Sequence, residues 1–194
     1  MFDILIKNGT IINGTGNERY KGNIGIKDGK IKYIGKCIND AVEIIDAEGF
    51  IVSPGFIDNH SHSDYSLLDN NVNYGNYLEQ GITTEIAGMC GGTPSPTKLK
   101  DAKELYTALF GKPDTEKVQE FSKHLKDFDS YLKFVEKKQL GTNMAFYIGH
   151  SSIRTAVIGS DNRKLTKEEM KEMKKHVRIA MEAGALGLSS GLIY

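Results

Sequence analysis

Between Pro54 and Asp64 the chain reads PGFIDNHSHSD, with His60 and His62 two residues apart and an aspartate two residues outside each, Asp58 and Asp64. Only five histidines serve 194 residues, so a pair at this spacing asks for a shared role. Successive side chains on a strand point to opposite faces, so in an extended segment Asp58, His60 and His62 project to one side. Two imidazoles leaving the C-terminal end of a strand can be aimed at one metal ion. The alternative is one surface histidine and one satisfied by an ordinary hydrogen bond. Asp58 and Asp64 are candidates for carboxylates that orient an imidazole, and Asp64 reads equally well as a helix N-cap. Further on, GMCGG puts Cys90 at the end of the next apolar stretch. Neighbouring strands lie about 5 Å apart, so ligands from adjacent strand ends can reach one ion, and a thiol beside a cation is deprotonated. The alternative there is a buried, inert cysteine. Cys37 is assigned to packing.

The elements that must position these residues fall into two styles. From Met1 to about Ile51 the chain reads as short strands, DILIK, TIING, NIGIKD, KIKYIG and VEIIDAEGFIV, separated by glycines and asparagines. Asp28-Gly29 suits the positive φ angles of a two-residue hairpin turn. From Phe56 onward, strand candidates alternate with helical stretches, which implies parallel strands joined by crossover helices. The strands are GFIDNH near 55–60, ITTEIAGM at 82–89, NMAFYIGH at 143–150 and ALGLSSG at 185–191. A helix is expected from Thr166, where Thr166 and Glu169 form a capping box ahead of Met170, Met173, Val177, Ala180 and Met181, with Gly184 to end it. Val118, Phe121, Leu125, Phe128, Leu132 and Val135 mark a second helical stripe. Glu85, inside an otherwise weakly polar strand, has no evident role.

Composition bounds the partners. Lysines and arginines equal aspartates and glutamates at 25 each, so no global field draws nucleic acid or an anionic membrane, and a small-molecule partner is expected. The opening MFDILIKNGT is too short and too charged for a signal peptide or a membrane span, which points to a cytoplasmic protein. Two cysteines form no disulfide framework.

PGFIDNHSHSD, GITTEIAGMCGGTPSP, IGHSSIR and AMEAGALGLSSGLIY, in this order, resemble stretches of the amidohydrolase superfamily, and specifically its N-acyl-D-amino-acid deacylase (D-aminoacylase) branch, over essentially the whole chain. The resemblance implies an α/β chain with a small β-sandwich portion over residues 1–53. Residues 54–194 are then the first half, about four βα units, of a (β/α)8 TIM-type barrel, with a helical insertion at about 93–141. It implies that His60 and His62 are a metal pair on barrel strand one and that Cys90 is a metal-binding cysteine on strand two. The implied ion is zinc, one tightly bound, with a second, weaker site as an option in a full-length protein. Related dihydroorotases and hydantoinases hold their metals with a carboxylated lysine near the end of strand four, whereas GALGLSSGLIY contains no lysine.

By the same resemblance Tyr194 matches a tyrosine that steadies the oxygen of a tetrahedral intermediate, the alternative being an aromatic packed at a strand end. His150 is expected near the substrate pocket, and Arg154 either there or in a structural ion pair. The implied activity is metal-dependent hydrolysis of N-acyl-D-amino acids to a carboxylate and a free D-amino acid. The competing readings are a hydantoinase, a dihydroorotase, an isoaspartyl dipeptidase, or a non-catalytic remnant. A complete barrel usually needs about 250 residues, so the expectation is a fragment of a larger deacylase. Such a fragment lacks the C-terminal half of the barrel with its further ligands and catalytic aspartate, and is inactive alone.

Overall fold

The computed structural model describes residues 1–36, 40–68, 75–112 and 114–193, and they fall into two compact units, Met1–Gly55 and Phe56–Tyr194. Cys37 and Tyr194 lie outside the described residues.

The first unit is a mixed sheet of β1 (Phe2–Ile11), β2 (Tyr20–Lys27), β3 (Lys30–Gly35), β4 (Ala41–Asp46) and β5 (Ile51–Val52). The order is β3-β2-β1-β4, with β5 also beside β1. A second layer, as a sandwich would have, is not among the described residues of this unit. The β2–β3 hairpin turns on Asp28 (φ 53°) and Gly29 (φ 67°), the left-handed pair that the Asp-Gly signal demands. DILIK and TIING, expected as two strands, are one. Asn8 takes φ 61° and the β1–β2 register shifts between Ile6 and Gly9, so Asn8-Gly9 marks a bulge in a continuous strand. VEIIDAEGFIV divides instead, into β4 and β5.

The second unit carries β6 (Phe56–Asp58), α1 (Gly75–Leu78), β7 (Ile82–Ala87), α2 (Leu99–Phe110), α3 (Thr115–Leu125) and α4 (Phe128–Val135). β8 (Asn143–Phe146), β9 (Ile148–Gly149), α5 (His150–Ile158), α6 (Lys167–Glu182) and β10 (Leu188–Ser189) follow. β6, β7 and β8 form one parallel sheet; β9 and β10 pair in parallel beyond Tyr147, whose N–H still donates to Ala87 O. Parallel strands alternating with helices make the unit α/β.

The helical stripe from Val118 to Val135 is two helices rather than one. Asp127, extended at φ −151°, accepts from Ser130 N and caps α4, so the chain turns while both halves stay apolar toward one core. Val118, Phe121 and Leu125 of α3 and Phe128, Tyr131 and Val135 of α4 are buried, most of them against Phe146, Ile148 and Ile153. α6 begins at the Thr166–Glu169 capping box, and Gly184 at φ 105° follows its end. Its buried face is narrower than its periodicity suggests: Met173 and Ala180 are covered, Met170 and Met181 exposed. Among the described residues, no helix is long and apolar enough to cross a membrane.

Candidate metal centre

β6 ends at Asp58, and the extended segment expected to carry the histidines stops there. Asp58 Oδ1 accepts the His60 N–H at 3.0 Å where the chain bends after β6. The segment keeps beside β7 through Ser61 N–H to Ile86 O, 3.0 Å, and then enters a turn at Ser63. Burial still alternates: His60 and His62 are exposed, while Ser61 and Ser63 are buried. The alternation thus continues past the end of β6, with the serines inward and the histidines outward.

Cys90 follows β7, the strand paired with β6, in a loop of unusual backbone. Gly88, Cys90 and Gly91 all have positive φ, at 77°, 55° and 77°. A Cβ on Gly88 would come within 2.1 Å of Tyr147 O, and one on Gly149 within 2.4 Å of Gly91 O, so only glycines allow this loop to lie against β9. The N-terminus of α5 grips it, with Ser151 N and Ser152 N donating to Gly91 O at 2.8 and 3.2 Å. Ser152 Oγ exchanges hydrogen bonds with Thr93 N and Thr93 O, while Ser189 Oγ donates to Gly88 O and accepts from Gly91 N.

These two loops bring His60, His62 and Cys90 together, one ligand atom from each lying within 4.8 Å of the others. His60 Nε2 and Cys90 Sγ are 3.3 Å apart, and the two imidazole centroids are 5.5 Å apart. Cys90 is a free thiol. Asp64 is fully buried, and neither carboxylate oxygen has a partner in hydrogen-bond geometry, so it neither orients an imidazole nor caps a helix. Desolvation pushes its pKa up to about 7, against the opposing pull of the backbone N–H groups of Asp64, Tyr65 and Gly88. His150 opens α5, half-buried, outside the three-residue group. Arg154, expected either near the substrate pocket or in a structural ion pair, donates to the carbonyls of Asp161 and Arg163 at 2.9 and 2.8 Å and so holds the α5–α6 connection.

Apart from Glu85, which stood out in sequence without an evident role, the residues that hold the loops carry no sequence signal. Ser61, Ser63, Glu85 and Thr142 form a buried polar chain, while Ser151, Ser152 and Ser189 brace the cysteine loop. The lone acid in β7 was the available signal, since a buried charge must have partners.

No family model matches the chain. D-aminoacylase of Alcaligenes xylosoxydans xylosoxydans is 30% identical over 203 residues, covering 100% of this chain and 38% of that protein. The crystal structure of N-acyl-D-glutamate deacylase from Bordetella bronchiseptica, complexed with zinc and a phosphonate mimic of the tetrahedral intermediate, superposes with a TM-score of 0.82. It is 31% identical, over 100% of this chain and 39% of that one. A D-aminoacylase structure described for its binuclear metal centre, with one-metal activation and second-metal attenuation, gives a TM-score of 0.83 at 30% identity and the same coverage. In fold and sequence the chain is similar to the amidohydrolases. Along its whole length it is homologous to D-aminoacylase and N-acyl-D-glutamate deacylase among them. It spans somewhat over a third of the length of these relatives.

Proposed function

We propose that His60, His62 and Cys90 hold a zinc ion and that the protein hydrolyses N-acyl-D-amino acids, releasing a carboxylate and a free D-amino acid. The observation that carries the proposal is the convergence of the three ligand atoms at the ends of two adjacent parallel strands. The donor set suits zinc. With Zn–S of about 2.3 Å and Zn–N of about 2.0 Å, sulfur and nitrogen on a tetrahedral ion stand roughly 3.5 Å apart, and the His60–Cys90 separation is 3.3 Å. Two imidazoles and a thiolate leave part of a tetrahedral shell for water, substrate or a further ligand. A zinc ion there would supply Lewis acidity and an activated water near neutral pH, which is what amide hydrolysis requires.

The chain's own residues have separable roles in this reading. The cysteine loop, clamped by Ser151, Ser152 and Ser189, keeps the thiol facing the imidazoles. Tyr194, by family resemblance, donates its phenol to the oxygen that gains charge in the tetrahedral intermediate. His150, by the same resemblance, is assigned to the neighbourhood of the substrate pocket. Residues 1–53 are the β-sandwich portion, and 54–194 are the first four βα units of a (β/α)8 barrel with an insertion at about 93–141. The activity is that of a protein of the relatives' length, whose remaining strands supply further ligands and the catalytic aspartate, so the 194-residue chain is expected to be inactive alone. A free thiol at the site suits a reducing compartment, so a cytoplasmic setting is part of the proposal.

Two measurements test it. The purified chain is expected to take up zinc, with chelator removing it and Cys90→Ala abolishing uptake; the same titration counts the ions. A chain extended to the relatives' length is expected to turn over N-acetyl-D-amino acids. Failure to take up zinc after reconstitution, or preferential turnover of hydantoins or isoaspartyl peptides, would sink the proposal.

A further inference from the structure

Glu85 is the one charged residue of β7, and its side chain is fully buried. A carboxylate in that position is costly unless its oxygens are occupied. Here Oε1 accepts from the Thr142 hydroxyl at 2.7 Å and Oε2 from Ser61 at 2.8 Å. Ser61 stands between His60 and His62 in the chain. Its oxygen accepts the Ser63 N–H at 3.1 Å, and the two serine hydroxyls are 3.0 Å apart. A hydroxyl carries one proton, and a carboxylate only accepts. Ser61 therefore gives its proton to Glu85 and takes that of Ser63, so the bonds run from Ser63 through Ser61 to Glu85, with Thr142 closing them from β8's side. All four residues are buried, whereas His60 and His62 are exposed. Beyond Asp58 regular strand pairing ends and one backbone bond to β7 remains, from Ser61 N to Ile86 O, so the segment's orientation depends on that bond and on what its serines grip.

We infer that Glu85 is the positioning residue of the metal centre: through Ser61 it anchors the inward side of the His60–Ser63 segment and so fixes the outward direction in which both imidazoles meet Cys90. The inference rests on reading that cluster as a zinc site. An apolar residue at 85 would leave two buried hydroxyls, those of Ser61 and Thr142, without their acceptor. An amide can still bridge them, since its oxygen accepts from one hydroxyl and its NH₂ donates to the other.

The test is a Co²⁺ titration of the 194-residue chain, read by the cysteine-to-cobalt charge-transfer band, paired with metal-free amide hydrogen exchange at Ser61 and Ser63. Glu85→Leu is expected to weaken Co²⁺ binding by roughly 10–100-fold, the usual effect of losing a residue that supports metal ligands, and to speed exchange at both amides. Glu85→Gln is expected to restore most of both. Ser61→Ala cuts the same link from the other side and serves if Glu85→Leu does not fold. A folded Glu85→Leu or Ser61→Ala chain with unchanged affinity and protection overturns the inference, and so does a glutamine variant no better than leucine. If the unaltered chain takes up no Co²⁺, the zinc reading falls, and exchange alone decides whether Glu85 anchors the segment. If neither variant folds, Glu85 serves folding in general and the inference is overturned.

Discussion

Cys90 adopts φ 55°, a left-handed backbone that costs a residue with a Cβ roughly 1–2 kcal/mol. Strain of this kind persists only where neighbouring structure over-determines it, and here the braces are the hydrogen bonds from α5 and Ser189. Cys90→Gly should therefore be more stable than Cys90→Ala by about 1 kcal/mol in urea unfolding, because only alanine keeps the strain. Both should lose metal uptake. Equal stability of the two would mean that the loop holds no strain. At this scale the sequence was a partial guide. His60, His62 and Cys90 do lie together, yet the expected cause, pleating of a continuous strand, is absent past Asp58. The small alternating serines took over that task, and serines in a loop carry no signal until their acceptor, Glu85, is known to be buried beneath them.

Helix ends were the most readable elements, because capping is local chemistry. The box predicted at Thr166 and Glu169 is present, and Arg163 adds to it with a 2.6 Å contact to Glu169. Hydrogen bonds first from Arg163 and then from the Thr166 backbone hold the Glu169 carboxyl down at about 2. A lowered folded pKa means that the stabilisation is present above the ordinary value of 4.5 and is lost as pH falls through about 2. In that window circular dichroism should show α6 losing helicity, whereas Glu169→Gln should start lower and change less. Superimposable acid curves would exclude this contribution. The break between α3 and α4 was less readable, since apolar residues continue at helical spacing across it and only the Asp127 cap marks the turn. Tyr131 of α4 then reaches back to the histidine segment, donating its hydroxyl to the buried Asp64 carbonyl at 2.9 Å. Tyr131→Phe should cost about 1 kcal/mol in urea unfolding, the usual net worth of such a bond, and a variant as stable as the parent would show that the link is redundant.

Across the second unit the parallel strands follow one another in chain order, so β6 and β10 are its outermost strands among the described residues. Their sides are apolar and open: Phe56 is 62% exposed, Ile57 64% and Leu188 49%, with Leu186 beside β10 at 51%. Exposed apolar edge strands pair with other chains. In the relatives, which are more than twice as long, further chain exists that can cover such surfaces. The sequence raised only the expectation that four strand-and-helix repeats would leave a barrel of eight open; which side chains stand exposed emerged only from the coordinates. The 194-residue chain should therefore self-associate in sedimentation velocity and bind an apolar dye. Ile57→Lys with Leu188→Lys should shift it toward monomer without abolishing Co²⁺ uptake, because neither residue belongs to the ligand group. A parent chain that sediments as a dye-silent monomer would show that these strands need no cover.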